Sequence, residues 1–193
     1  MKKFELTTES IETVSGEKLF RIKALVSFDA VEAGELGGYV EKEENLSHEG
    51  NAWVYDNAQV CGNAQVCGNA QVCGNAWVCG NAKVYDNAQV SGNAWVYGDA
   101  WVYGDAWVCG DADIYDNSQK SSVDGFGSEN RTTTFFREKS GGVGVKCGCF
   151  YGTLDEFREK VRKTHGDSEI AQEYLAIADV EERRFKRVAK KGE

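Results

Sequence analysis

Between Asn51 and Asp116 apolar and polar positions recur with a six-residue period that never breaks. Each phrase reads as a corner residue, alanine, a variable residue, valine or isoleucine, a second variable residue, then glycine or aspartate. Ala52 and Val54 stand two apart, so a strand through them sends both side chains to one face and Trp53 and Tyr55 to the other. Pairs such as Gly62-Asn63, Asp86-Asn87 and Gly98-Asp99 return at every sixth position, and these residues tolerate the positive φ of sharp corners. Strands of about four residues that reverse direction at identical corners could not keep alanine and valine on one side. The pattern therefore predicts a parallel solenoid rather than a run of hairpins.

The aliphatic residue followed four places on by a small one, as in Val60 and Ala64 or Val66 and Ala70, resembles the hexapeptide repeat of left-handed parallel β-helices. That resemblance implies three hexads per triangular coil, with residues eighteen apart stacked at the ~4.8 Å spacing of paired strands. Such a winding opposes the usual right-handed crossover, and Asn or Gly corners lower its cost. The chain departs from the family by placing Tyr or Cys after the aliphatic residue and by having no loop between hexads. Tyr39-Val40 through Gly50 fits two weaker hexads, and the frame decays over Asn117 to Ser122.

On either side the pattern changes. Lys3 to Thr7 and Lys18 to Phe28 read as strands around a Ser15-Gly16 turn, a hairpin suited to cover the open end of a solenoid. Val123 to Asn130 is rich in Gly and Ser and reads as a linker. Thr132 to Arg137 and Val143 to Phe150 alternate as a second hairpin. Thr153 and Glu156 form a capping box that opens a helix ended by Gly166. Asp167 or Ser168 caps a second helix carrying Ile170, Tyr174, Leu175, Ile177 and Ala178 on one face. The expected fold is thus mainly β: a β cap over 1–38, a left-handed parallel β-helix over 39–122, a linker over 123–130 and a small α+β module of ββαα type over 131–193.

Charge narrows the function. Of the net −9, residues 1–50 hold six Lys and Arg against eleven Asp and Glu, residues 51–122 two against seven, and residues 123–193 fourteen against thirteen. A phosphate-binding solenoid surface is excluded by that balance, so nucleic acid is not an expected partner. The basic run from Arg183 to Arg187, with Lys190 and Lys191, reads as a solvated helix end. No apolar run approaches the ~20 residues that span a bilayer, and the chain reads as a cytoplasmic protein. Five of the seven cysteines occupy one recurring outward slot, so they read as reduced surface thiols rather than a disulfide framework. Asp99, Asp105 and Asp111 replace Asn at the three corners of one coil, diverge from one another, and read as solubility charges.

Candidate chemistry is sparse. Acyltransferases and carbonic anhydrases with related repeats rely on histidine near the coils, and here only His48 stands at the start of the repeat, so no catalytic residue and no cofactor is assigned. Cys147, Cys149 and His165 are candidate metal ligands, although strand alternation also sends both sulfurs into a core. The outward positions say more. Trp53, Trp77, Trp95, Tyr97, Trp101, Tyr103 and Trp107 project from faces whose interior is already filled by Ala and Val, which suggests protein contact. The hexads, together with Glu35 to Glu41, Cys147-Gly148-Cys149-Phe150, Gly152 to Phe157 and Thr164 to Asp167, make nearly the whole chain similar to uncharacterised bacteriophage and prophage proteins.

The expectation is a non-catalytic binding or scaffold protein. It would engage a host or viral protein through the exposed aromatic β-helix faces and the C-terminal module, as an anti-defence factor in one form, and assemble as a homo-oligomer, a trimer by likeness to the fold's relatives. The alternatives are an oligomeric sponge that stacks a nucleotide on Trp or Tyr and holds its phosphates with Arg131, Arg137 or Lys146, and, further, a hexapeptide acyltransferase or an acidic mimic of nucleic acid.

Overall fold

Each hexad contributes one two-residue strand, a variable residue followed by its valine or isoleucine. The computed structural model, which describes residues 2–189, winds these strands into a parallel β-solenoid of about four coils. Strands β1 (Phe4–Glu12), β2 (Lys18–Ala24) and β3 (Leu36–Val40) come first, then rung strands β4 to β14, running from Trp53–Val54 to Asp113–Ile114. Three columns of aliphatic side chains fill the inside. Val40, Val60, Val78 and Val96 pair in parallel up one column, Leu46, Val66, Val84 and Val102 up the second, and Val54, Val72, Val90 and Val108 up the third. These residues and their alanine neighbours are almost entirely shielded from solvent.

The step along each column is eighteen residues, except in the first coil. There Val40 pairs with Val60 and Leu46 with Val66, a step of twenty. The extra pair falls between Leu46 and Trp53, so the first corner carries a short excursion that the hexad reading did not contain. At the other corners two devices recur. Gly80 adopts a φ of +68°, and a Cβ there would stand 2.9 Å from the Gly98 nitrogen of the next coil, which leaves no room for a side chain. Asp56 and Asp86 take the same left-handed conformation (φ 52° and 59°) and use it differently: their carboxylates accept the Gly74 and Gly104 amide protons at 3.0 and 3.1 Å.

Asparagines at the corners form rows. Asn63 donates to Asn81 and Asn81 to Asp99; Asn69 donates to Asn87 and Asn87 to Asp105; Asn75 donates to Asn93 and Asn93 to Asp111, all at 3.0–3.3 Å. Asp99, Asp105 and Asp111 are therefore acceptor ends of side-chain hydrogen-bond rows, not merely solubility charges. An acceptor-only group is what the last place in a donor-to-acceptor row requires.

β1, β2 and β3 pair antiparallel, and β3 enters the first column, so the N-terminal strands extend one sheet of the solenoid. Lys3 is buried and its Nζ donates to the Ala52 and Gly50 carbonyls at 2.7 and 3.3 Å while lying 4.8 Å from the Phe28 ring. Burial pushes its pKa down from 10.5 to about 8. Below pH 8 the ammonium is charged in both folded and unfolded chains, and its desolvation penalty is fully present. Between pH 8 and 10.5 the unfolded chain holds a proton that the folded chain has lost, so stability rises with pH. Cys61 acts in the opposite sense, because burial lifts its thiol to about 12 and the unfolded thiol ionises near 9. Chemical denaturation should therefore show the Lys3→Met variant lacking about 1 kcal/mol of the stability that Lys3 adds to the wild type over one pH unit above pH 8.

The molecule divides into two units, Met1–Asp111 and Ala112–Glu193. The second is built on a four-stranded antiparallel sheet in chain order, β15 (Lys120–Phe126), β16 (Arg131–Arg137), β17 (Val143–Cys147) and β18 (Phe150–Thr153), followed by α1 (Leu154–His165) and α2 (Glu169–Ala189). Val123 to Phe126, read from composition as linker, instead complete β15 and pair with β16. Serine and glycine conceal a strand whose partner is the next one in the chain. The capping box holds as expected, with Thr153 N–H donating to Glu156 Oε2 at 2.7 Å and Glu156 N–H to Thr153 Oγ1 at 3.3 Å. On α2 the buried stripe is Ala171, Tyr174, Ala178 and Phe185, and Ile170 is exposed. These residues pack with Phe135, Val145, Leu154, Phe157 and Val161 into one core. No helix among the described residues is long and apolar enough to cross a membrane.

Candidate binding faces

Alternation along the rungs places the aromatic residues on the outer side of the coils, but the N-terminal strands change what remains open. Trp53, expected to face solvent, is fully buried. Phe4 and Phe28 present their edges to it at 6.2 and 5.4 Å, and the Gly37 backbone lies so close that a Cβ there would come within 2.8 Å of the indole. Leu19 and Ile11 likewise cover Cys61 and part of Trp77.

Two faces keep exposed rings. On one, Trp95 is 43% exposed and meets Trp77 edge-on at 5.6 Å, with Tyr97 stacked on Trp77 at 6.4 Å. The hairpin turn at Thr13 to Ser15 overhangs these indoles and leaves a groove of about 310 Å³. On the other, Trp101 and Tyr103 are 42% and 48% exposed. Tyr103 stacks on Tyr85 at 5.4 Å, and the Lys83 ammonium lies 5.2 Å from the Trp101 ring. Trp107, on the third face, is half-buried and donates its Nε1–H to Ser91 at 3.0 Å. Rings held by one another in this way are rigid, and rigid aromatic surface loses little conformational freedom on binding.

The expected thiol surface is less open than the repeat implied. Cys61 and Cys109 are buried, Cys67, Cys73, Cys79 and Cys147 are half-buried, and Cys149 is exposed. Burial raises the pKa of Cys61, Cys67, Cys73 and Cys79. Thiols shifted in that direction are poor nucleophiles at neutral pH.

His48 occupies the widened first corner, stacked on Phe4 at 4.4 Å. Its Nδ1 accepts the Lys3 backbone N–H at 3.2 Å, and its Nε2 faces Glu43 at 3.6 Å. Hydrogen bonding at Nδ1 places the ring proton on Nε2 in the neutral imidazole. The ring ties the N-terminal strand to the first coil.

In the second unit the three cations proposed for phosphate do not converge. Arg131 and Arg137 stand at opposite ends of β16, about 20 Å apart at ~3.3 Å per residue. Lys146 pairs with Thr134, on the sheet face opposite Phe135, and is buried. By contrast, Arg131, Cys147, Cys149 and His165 line a common cavity. Among the described residues no three His, Cys, Asp or Glu side chains are placed to hold a metal ion, so Cys147, Cys149 and His165 share a wall without forming a ligand set.

No curated protein matches the chain. Within the solenoid, residues 64–80 and 88–104 match a family described as the YdcK beta solenoid repeat, and the chain is similar to that repeat over these two stretches.

Proposed function

We propose that this chain is a non-catalytic binding protein that docks a basic host or viral protein on the exposed aromatic faces of its solenoid. One observation carries the reading: Trp95, Trp101 and Tyr103 stay exposed although alanine and valine already fill the coils. Charge names the partner class, since residues 1–111 hold seven Lys and Arg against sixteen Asp and Glu. A partner with Lys and Arg around an apolar contact gains both aromatic burial and electrostatic steering. The likeness to phage proteins, the left-handed winding, the place in the host cytoplasm and a role against host defence belong to the same reading. Self-association into a trimer is a further way to cover one face.

The test compares the wild-type chain with a Trp95→Ala, Trp101→Ala, Tyr103→Ala variant as bait in bacterial host extract. A stoichiometric basic polypeptide held by the wild type and released by the variant supports docking, provided the far-ultraviolet spectra of the two baits coincide. Native mass spectrometry of the purified protein separates the alternative: a retained nucleotide and no polypeptide would replace the docking reading with the sponge.

A further inference from the structure

The cavity shared by Arg131, Cys147, Cys149 and His165 has the chemistry of a ligand site. It measures about 190 Å³ and opens between the β17–β18 turn, the second half of α1, and Tyr174 of α2. Its floor is apolar and largely aromatic. Phe157 meets Phe150 at 5.6 Å and Tyr174 edge-on at 5.8 Å, and the His165 ring stacks on Tyr174 at 5.7 Å. Its polar rim carries two cations, Arg131 and Lys160, against one carboxylate, Glu129, with the His165 ring beside them.

This rim is a local excess. Residues 112–193 hold fifteen Lys and Arg and fifteen Asp and Glu, so the unit as a whole is neutral. The Arg131–Glu129 pair is 3.6 Å long with both side chains more than half exposed, and such a pair is easily exchanged for another anion. Arg131 is also positioned by the backbone. At Gly148 the φ is +54°, and a Cβ there would lie 2.7 Å from Arg131 Nη1, so glycine at the turn lets the guanidinium lie across the mouth.

We propose that this cavity binds a small carboxylate with an apolar body, either one aromatic ring or a branched chain. The body would rest on Phe150, Phe157 and Tyr174, and the carboxylate would be held at the rim by Arg131 and Lys160. A guanidinium offers the planar, two-pronged donor set that a carboxylate matches. The volume falls below the ~300–1,000 Å³ of pockets for drug-sized ligands, which favours a single ring over a nucleotide. The same chemistry can come from a free acid or from the C-terminus of a chain that ends in an aromatic residue.

Calorimetric and NMR titration of the full chain with 3-phenylpropionate, 3-phenylpropionamide, and a peptide ending in Phe with a free or amidated terminus would test this. The acid is expected to bind about tenfold more tightly than its amide, as the loss of one charge-assisted hydrogen bond requires. Shifts should centre on Val161, His165 and Tyr174. Arg131→Gln should remove that preference without changing the melting temperature, because Arg131 is exposed. A peptide that binds more tightly than the free acid assigns the site to chain termini, and the reverse assigns it to small acids. Equal binding of acid and amide, no shift at millimolar acid, or unchanged affinity in Arg131→Gln would overturn the assignment. None of these outcomes bears on docking at the solenoid, which is read on other residues.

Discussion

Val78→Asp is expected to unfold the solenoid. Val78 is fully buried, between Val60 below and Val96 above in a continuous aliphatic column. Nothing in that column can donate to a carboxylate, and burying an unpaired charge costs several kcal/mol even after relaxation. A domain with about 5–15 kcal/mol of stability in total cannot absorb that at the middle of a stack. Hydrogen exchange should show the amides of the flanking rungs losing protection together, since each coil lends its edge to the next. Val78→Ile, which adds volume without charge, should cost only about 1–3 kcal/mol. If Val78→Asp kept native protection at Val60 and Val96, the filled interior described above would be wrong.

Trp53→Ala should be the next most damaging change, at about 3–5 kcal/mol. Trp53 is among the largest fully buried side chains in the molecule, enclosed by Phe4, Phe28 and the Gly37 backbone. Truncation leaves a void that these neighbours, fixed in strands and tight turns, cannot close. Its Nε1–H has no hydrogen-bond partner among the described residues, so Trp53→Phe removes a poorly satisfied donor along with some volume. Denaturant titration should accordingly place Trp53→Phe much closer to the wild type than Trp53→Ala. By contrast, Trp101→Ala, at an exposed ring, should change stability by less than about 1 kcal/mol and act on partner binding instead. The contrast tests the division between ring residues that fasten the N-terminal strands and those that stay open.

The solenoid was legible because its signal is local and repeated. A period of six, with Ala and Val two apart and Gly, Asn or Asp at each corner, states strand, corner and inward face in every phrase. What the N-terminal hairpin does was not legible, because the covering of Trp53 and Cys61 depends on where Phe4, Ile11, Leu19 and Phe28 come to rest, and no periodicity records that. The widened first corner hid in the same way: Leu46 reads as a hexad aliphatic, yet the next one, Val54, comes eight residues later. In the second unit the capping box and hairpin turns were visible, whereas β15 was obscured by serine and glycine. The cavity beside Arg131 joins residues from four separate stretches and needed the tertiary fold.

The corner rows set a rule for how this chain can change length. Because Asn63, Asn81 and Asp99 hand one hydrogen bond to the next at each rung, inserting or deleting a block of eighteen residues keeps every row and every column in line. A block of six would preserve the strands but carry each later tryptophan onto the neighbouring side, moving Trp95 to where Trp101 or Trp107 now looks. Growth in whole coils alone conserves the outward display, so a chain of this design works as a ruler whose smallest graduation is a complete turn.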